Sequence, residues 1–178
     1  MRLIDLRGGI AVLLCGLFAA LVAAPAVWAH DHRVPRANLH VNEQAKPLGA
    51  WTSTWVRPDG PGFCVIEHSD GVPGFRPRAD AHLHSTPRVV FRKQQRPRQV
   101  KALASDHLAH GYLGRNAQRV DVHLRPRHRD GRRVWVAKLH TTVRDRLVVD
   151  VTAHWRDAEG CGGNEQASWS FSLRRVGP

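Results

Sequence analysis

From Arg119 to the C-terminus, apolar and polar residues alternate nearly one for one. Val120, Val122 and Leu124 are interleaved with Arg119, Asp121 and His123. Leu147, Val149, Val151, Ala153 and Trp155 oppose Arg146, Asp150, Thr152, His154 and Arg156. Trp169, Phe171 and Leu173 alternate with Ser168, Ser170, Ser172 and Arg174. A period of two is what a strand with one buried and one wet face requires. A helix would instead repeat its apolar residues roughly every three to four positions. Asp130-Gly131, between one such run and the returning Trp135, Ala137 and Leu139, is the dipeptide of a tight hairpin turn. No window carries a convincing helical stripe. The nearest approach is Val100 to Leu113, where Ala102, Leu103, Ala104, Leu108 and Ala109 predict at most a single turn around Ser105–His110.

The first half is less regular but points the same way. An arm or edge strand is expected around Leu39–Val41. Trp51, Ser53 and Trp55 share one side of a strand ended by the turn-rich run Arg57-Pro58-Asp59-Gly60-Pro61-Gly62. Phe63 to His68 is a short β run stopped at Asp70-Gly71. Val72 to Pro87, with three prolines, reads as a long loop, whereas Arg88–Arg92 and Gln99–Leu103 read as strands. Seven or eight short strands predict an all-β chain, an antiparallel immunoglobulin-like β-sandwich at residues 48–176 behind an arm at residues 30–47. A small β-barrel is the alternative. The length of 178 residues excludes a TIM barrel, and a hydrophobic content of 42% excludes wholesale disorder.

Residues 1–29 have the layout of a secretory signal helix. Arg2 and Arg7 form the basic start, Gly8 to Ala24 the apolar centre, and Val27 and Ala29 the small residues before a cleavage site. Cleavage after Ala26 is the competing choice, and an uncleaved anchor from Gly8 to Val27 is the other, since about 20 apolar residues span a bilayer. Cleavage after Ala29 leaves no further membrane span and places the chain outside the cytoplasm, secreted or in the cell envelope. It also removes Cys15. The two cysteines that stay, Cys64 and Cys161, are then expected to form one disulfide.

Lys and Arg number 27 against 15 Asp and Glu, for a formal net charge of +12. Only Lys46, Lys93, Lys101 and Lys138 are lysines, a skew that codon usage in a GC-rich genome produces by itself. The basic residues concentrate at Arg88–Arg98 and Arg125–Arg133. Such charge suits an anionic cell-envelope or extracellular polymer, or an acidic patch on another extracellular protein. The aromatic ladder of single-strand binders is missing beside these clusters, which argues against nucleic acid. Trp51, Trp55, Trp135, Trp155 and Trp169 sit in the alternating pattern and are expected in the core rather than on a sugar platform, Trp51 and Trp55 least firmly.

The stretch Trp155-Arg-Asp-Ala-Glu-Gly-Cys-Gly-Gly-Asn-Glu-Gln-Ala-Ser-Trp-Ser-Phe resembles uncharacterised exported β-sandwich proteins of GC-rich bacteria, over the last third of the chain. Arg96-Pro97 and Gly62-Phe63-Cys64 are weaker matches. The resemblance implies a sandwich fold and no activity.

Histidine is the compositional oddity, with 12 residues. A mature chain beginning His30-Asp31-His32 offers a free amine, backbone amides and imidazoles, a set that wraps Cu(II) or Ni(II) in a plane. At His30 alone the chain resembles the histidine-brace copper proteins, lytic polysaccharide monooxygenases and periplasmic copper-resistance proteins. Asp31 departs from the small residue usual there. Asp80-Ala-His82-Leu-His84 looks like the Asp-x-His-x-His strand of metal-dependent amidohydrolases, which need a far longer barrel; His82 and His84 are retained as candidate metal ligands only. Glu67-His68-Ser69-Asp70 holds the letters of a hydrolase triad, but adjacent residues cannot adopt triad geometry. There is no Gly-x-Ser-x-Gly, no His-Glu-x-x-His and no phosphate-cradling glycine loop. The expectation is therefore a secreted, non-enzymatic binding module without a cofactor, with copper binding through His30 and His32 as the alternative.

Overall fold

The computed structural model describes residues 34–58, 63–70, 76–109, 112–114, 116–156, 161 and 163–177, with the side chains of residues 57 and 58 outside the description. The expected signal segment, His30 and His32 lie outside the described residues. Thirteen strands are present among them: β1 (Ala37–Val41), β2 (Gln44–Leu48), β3 (Ala50–Pro58), β4 (Cys64–Asp70), β5 (Arg78–Ala81), β6 (Arg88–Phe91), β7 (Gln99–Ser105), β8 (Leu108–Ala109), β9 (Tyr112–Leu113), β10 (Gln118–Arg129), β11 (Arg132–His140), β12 (Arg146–Arg156) and β13 (Asn164–Arg175). No helix occurs among the described residues.

Ten strands form one antiparallel ladder in the order β2-β1-β6-β11-β10-β7-β12-β13-β3-β4, and β5 adds in parallel beside β13. The ladder curls into a half-barrel. Its curvature is visible in the core. Phe91 of β6 lies 5.9 Å from Trp155 of β12 and 5.2 Å from Trp169 of β13 by ring centroids, although several strands separate them in the ladder. The strand that turns the corner is β10. It pairs with β7 through Gln118–Val120 and with β11 through Asp121–Arg129, so the two halves stay hydrogen-bonded as one sheet. Across the mouth of the curl, Asn42 Nδ2 and Lys46 Nζ from the β1–β2 hairpin donate to the carbonyls of Asp80 and Arg78 in β5.

One apolar core fills the concave side, drawn from nearly every strand. Trp55, Trp135, Trp155 and Trp169 are all buried, as the alternation predicts, while Trp51 is half-buried and packs edge-on against Tyr112 at 6.1 Å. Trp135 and Trp155 donate their indole N–H to the carbonyls of Gln94 and Gln95, which locks the β6–β7 loop onto the core. Lys93 from the same loop stands 4.3 Å over the Trp55 ring and pairs with the buried Glu165 at 2.9 Å. The disulfide Cys64–Cys161 is present, with a Cα–Cα distance of 6.0 Å. It ties the start of β4 to the segment between β12 and β13, as the positions of the two cysteines imply.

Thirteen strands stand where seven or eight are expected, and four further expectations differ from the structure. The turn around Ser105–His110 is replaced by the end of β7 and the small β8–β9 pair, because Ala102 and Ala104 face the core from an extended segment. Residues 72–87 are not wholly loop. Arg78–Ala81 forms β5 between its flanking prolines, where the Pro77 carbonyl accepts from the Ser172 N–H and opens the parallel ladder. The segment 37–48 contributes β1 and β2, and β1 is flanked on both sides, with Leu39 and Val41 in the core. Finally, β13 has no wet face along most of its length. Ser168, Ser170 and Ser172 are buried, and Arg76, ahead of β5, donates its Nε–H to Ser170 Oγ from the outer side.

Candidate functional site

The convex face of β1, β6, β11 and β10 concentrates the charge. Where Leu39, Val89, Ala137 and Leu124 point inward in register, the neighbouring positions point out. His40 pairs with Arg88, Arg88 with Lys138, and Lys138 with His123. The next outward row is Asn38, Val90, Val136 and Arg125, and beyond it Val134 faces Arg127. Val90, Val134 and Val136 form a small second cluster, each only 8% exposed although on the outer side. The long side chains beside them, Arg125 and Arg127 across the ladder and Arg88 and Lys138 two residues along the strands, are of the kind that cover apolar surface with their stems while keeping the charge in water. Asp121 is the one carboxylate on the outward rows of these four strands. His40 stands partly buried within this field. Burial first, then repulsion from Arg88, Arg129 and Arg92, holds its imidazole below the ordinary value of 6.5. Its Nε2 has no hydrogen-bond partner among the described residues.

Where β10 leaves β7 for β11, the sheet opens a cleft of about 320 Å³ lined by Val100, Lys101, Arg119, Val120, Asp121 and Val122. Asp121 belongs both to this cleft and to a side-chain triad. Its register partner is His140 on β11, and His123 lies two residues along β10 on the same face. Asp121 Oδ2 is 3.0 Å from His123 Nε2, and the His123 and His140 rings meet edge-on at 5.0 Å between centroids. One ligand atom from each of the three lies within 4.8 Å of the others, the one His/Cys/Asp/Glu group of this kind among the described residues.

The other half of the sheet carries a different polar row. Asp150 of β12 accepts from Ser170 Oγ–H, and Arg76 donates to the same Ser170. Burial pushes the Asp150 carboxyl up, against the opposing pull of that hydrogen bond and of Arg76. His154, two residues beyond Thr152, is held below its ordinary value by burial and then by Lys101.

Of the residues singled out by sequence, His82 and His84 are exposed in the loop after β5. That loop is shaped by its backbone, since the His82 N–H donates to Ser85 Oγ and Ser85 Oγ–H returns to the His82 carbonyl. They join no third ligand among the described residues. The segment Glu67-His68-Ser69-Asp70 is the second half of β4, with Thr54 Oγ1 at 3.1 Å from His68 Nδ1 and Thr52 Oγ1 donating to Asp70, cross-strand pairs of an edge ladder. The grouping that the sequence did not announce is Asp121, His123 and His140. Compared with known proteins, the chain matches no family model, no curated protein and no solved structure.

Proposed function

We propose that the chain is an exported, non-enzymatic binding module whose convex basic face meets an anionic cell-envelope or extracellular polymer. The observation that carries this reading is the outward face that bears Arg88, Lys138, Arg125 and Arg127, continued at the hairpin end by Arg129 and Arg132, on one side of the sheet. Packed β-strands hold such a face without ordering cost, and a polymer of repeated anions gains from many modest contacts at once. Cleavage of residues 1–29 belongs to the same proposal, and the Cys64–Cys161 disulfide suits the oxidising compartment it implies. The immunoglobulin-like sandwich is likewise part of it, as the flattened form of the curled sheet in which β1, β6 and β11 lie against β12, β13 and β3.

Retention of the untagged protein on polyphosphate-coated and polyglutamate-coated beads, followed across a salt gradient, tests the reading. Binding is expected to fall steeply as ionic strength rises, because exposed charges are screened within about 10 Å at 0.1 M salt. Arg125→Glu/Arg127→Glu is expected to abolish retention, while Arg98→Glu, off this face, changes it little. Retention that ignores salt, or that survives the double charge reversal, overturns the proposal.

A further inference from the structure

We propose that Asp121, His123 and His140 form a binding site for one divalent transition-metal ion of the Cu²⁺ or Zn²⁺ kind, at the edge of the cleft between β7 and β10. The site does not depend on the polymer reading and is tested apart from it.

Its donors come from a ladder rather than from loops. Asp121 and His123 are two apart on β10, hence on one face, and His140 is the cross-strand partner of Asp121 on β11. Strand-borne ligands are held more exactly in place than loop-borne ones, because the backbone hydrogen bonds fix their spacing. Metal bonds of 2.0–2.2 Å to imidazole and carboxylate place tetrahedral ligand atoms about 3.3 Å apart. Asp121 and His123 already meet at 3.0 Å, and the whole triad lies within 4.8 Å. All three side chains are exposed, so rotamer adjustment closes the remainder without moving the sheet.

The donor set and its surroundings select the ion. Two imidazoles and one carboxylate suit Zn²⁺ or Cu²⁺, with Cu²⁺ bound the more tightly in the general order of affinities. Ca²⁺ takes six to eight oxygen ligands and Mg²⁺ an octahedron of them, which a single carboxylate does not begin to supply. Lys138, paired in register with His123, and Lys101 and Arg119, lining the cleft with Asp121, repel any weakly held cation. The same two cleft cations favour an anion as the fourth ligand, in the position that three protein donors leave open. The simpler alternative is that Asp121 and His123 are only a surface ion pair, at 71% and 52% side-chain exposure, of the kind that contributes little.

The test uses the untagged protein, stripped of metal and titrated with Zn²⁺ and with Cu²⁺ against a competing chelator. It is run on the wild type and in a His30→Ala/His32→Ala background that silences the N-terminal histidines. One equivalent is expected to bind in that background. His123→Ala and His140→Ala are each expected to weaken it at least about tenfold, since even the outer partners of metal ligands are worth 10–100-fold. Circular dichroism and the thermal midpoint of the metal-free variants stay unchanged, and His123→Gln serves as the shape-conserving control for folding. In NMR spectra of the imidazole nitrogens, Zn²⁺ is expected to shift His123 and His140 and leave His154 in place. Binding that disappears with His30→Ala/His32→Ala alone, that is removed by His82→Ala/His84→Ala instead, or that persists unchanged in the His123→Ala/His140→Ala double variant overturns the assignment.

Discussion

A methyl group added at Gly163 would come within 2.4 Å of Val56 Cγ2, closer than real side-chain carbons approach one another. Val56 is buried in β3, and a β-branched side chain in a strand has little rotamer freedom with which to give way. Gly163→Ala is therefore expected to destabilise the fold by about 1–3 kcal/mol, the usual cost of overpacking. Val56→Ala in the same chain should recover part of that loss, so a double-mutant cycle by denaturant unfolding is expected to be non-additive; strict additivity would remove the steric explanation. His40 and His154 make a second prediction at single side chains. Both imidazoles are held below their ordinary value, first by burial. Between that lowered value and the ordinary one the unfolded chain binds more protons, so their contribution to stability is complete above about pH 6.5 and is lost as pH falls. Asp150, pushed up by burial, works the other way: its protonated form is favoured in the folded chain, and stability declines as pH rises through its raised value. The unfolding midpoint is thus expected to drop on acidification from neutrality, and His40→Gln/His154→Gln should flatten that slope. An unchanged slope in the double variant would assign the pH dependence elsewhere.

In the β10–β11 hairpin, Asp130 and Gly131 both take positive φ, 51° and 71°, the pairing that a two-residue turn needs to follow the twist of its strands. Gly131→Val is expected to cost about 1–2 kcal/mol, since a Cβ is disfavoured in the left-handed region. The same change should weaken polymer retention and metal binding together, because the basic residues and the triad share one face of this hairpin and depend on one register. Much of that register was legible beforehand. A turn at Asp130-Gly131 sets Arg129 against Arg132, and counting outward places Asp121 opposite His140 and His123 opposite Lys138. The triad was therefore encoded in the alternation and the turn, but it required counting across two strands instead of along one. The alternation of β12 likewise carries directly into burial. What alternation does not encode is partnership: it reports which side of a strand is apolar, not which strand lies beside it. Hence β5 was hidden among prolines, since its parallel ladder to β13 leaves no turn signal. For the same reason Ser168, Ser170 and Ser172 looked solvated, although Arg76 bonds to Ser170, β5 lies beside Ser172 and Thr152 bonds to Ser168. The change of partner along β10 left no mark in its sequence either, and a curled continuous sheet reads like two separate ones.

The curled sheet has a weakly held margin at β4, and the disulfide sits on it. β4 pairs only with β3, and six of its seven residues are exposed, so little apolar burial secures it. Cys64 begins this strand, and its bond to Cys161 anchors the edge to the β12–β13 hairpin past the intervening β3. The sequence separation of 97 residues makes the cross-link worth about 4–5 kcal/mol in the chain-entropy model. That value acts on the unfolded chain and would appear as a uniform loss of global stability. The placement of the bond adds a local effect. In Cys64→Ser/Cys161→Ser, hydrogen exchange of the β4 amides is expected to accelerate far more than that of β12 or β6, whose residues are clamped by the tryptophan cluster. The edge then opens by itself, in a sub-global step, while the core remains closed. Equal acceleration in all three strands would mean that the disulfide acts only through the unfolded chain, and that β4 is held by its ladder to β3. Because β4 and the basic face lie on different parts of the sheet, polymer retention in the folded double variant should match the wild type. A loss of retention together with an intact core would instead place β4 within the binding surface.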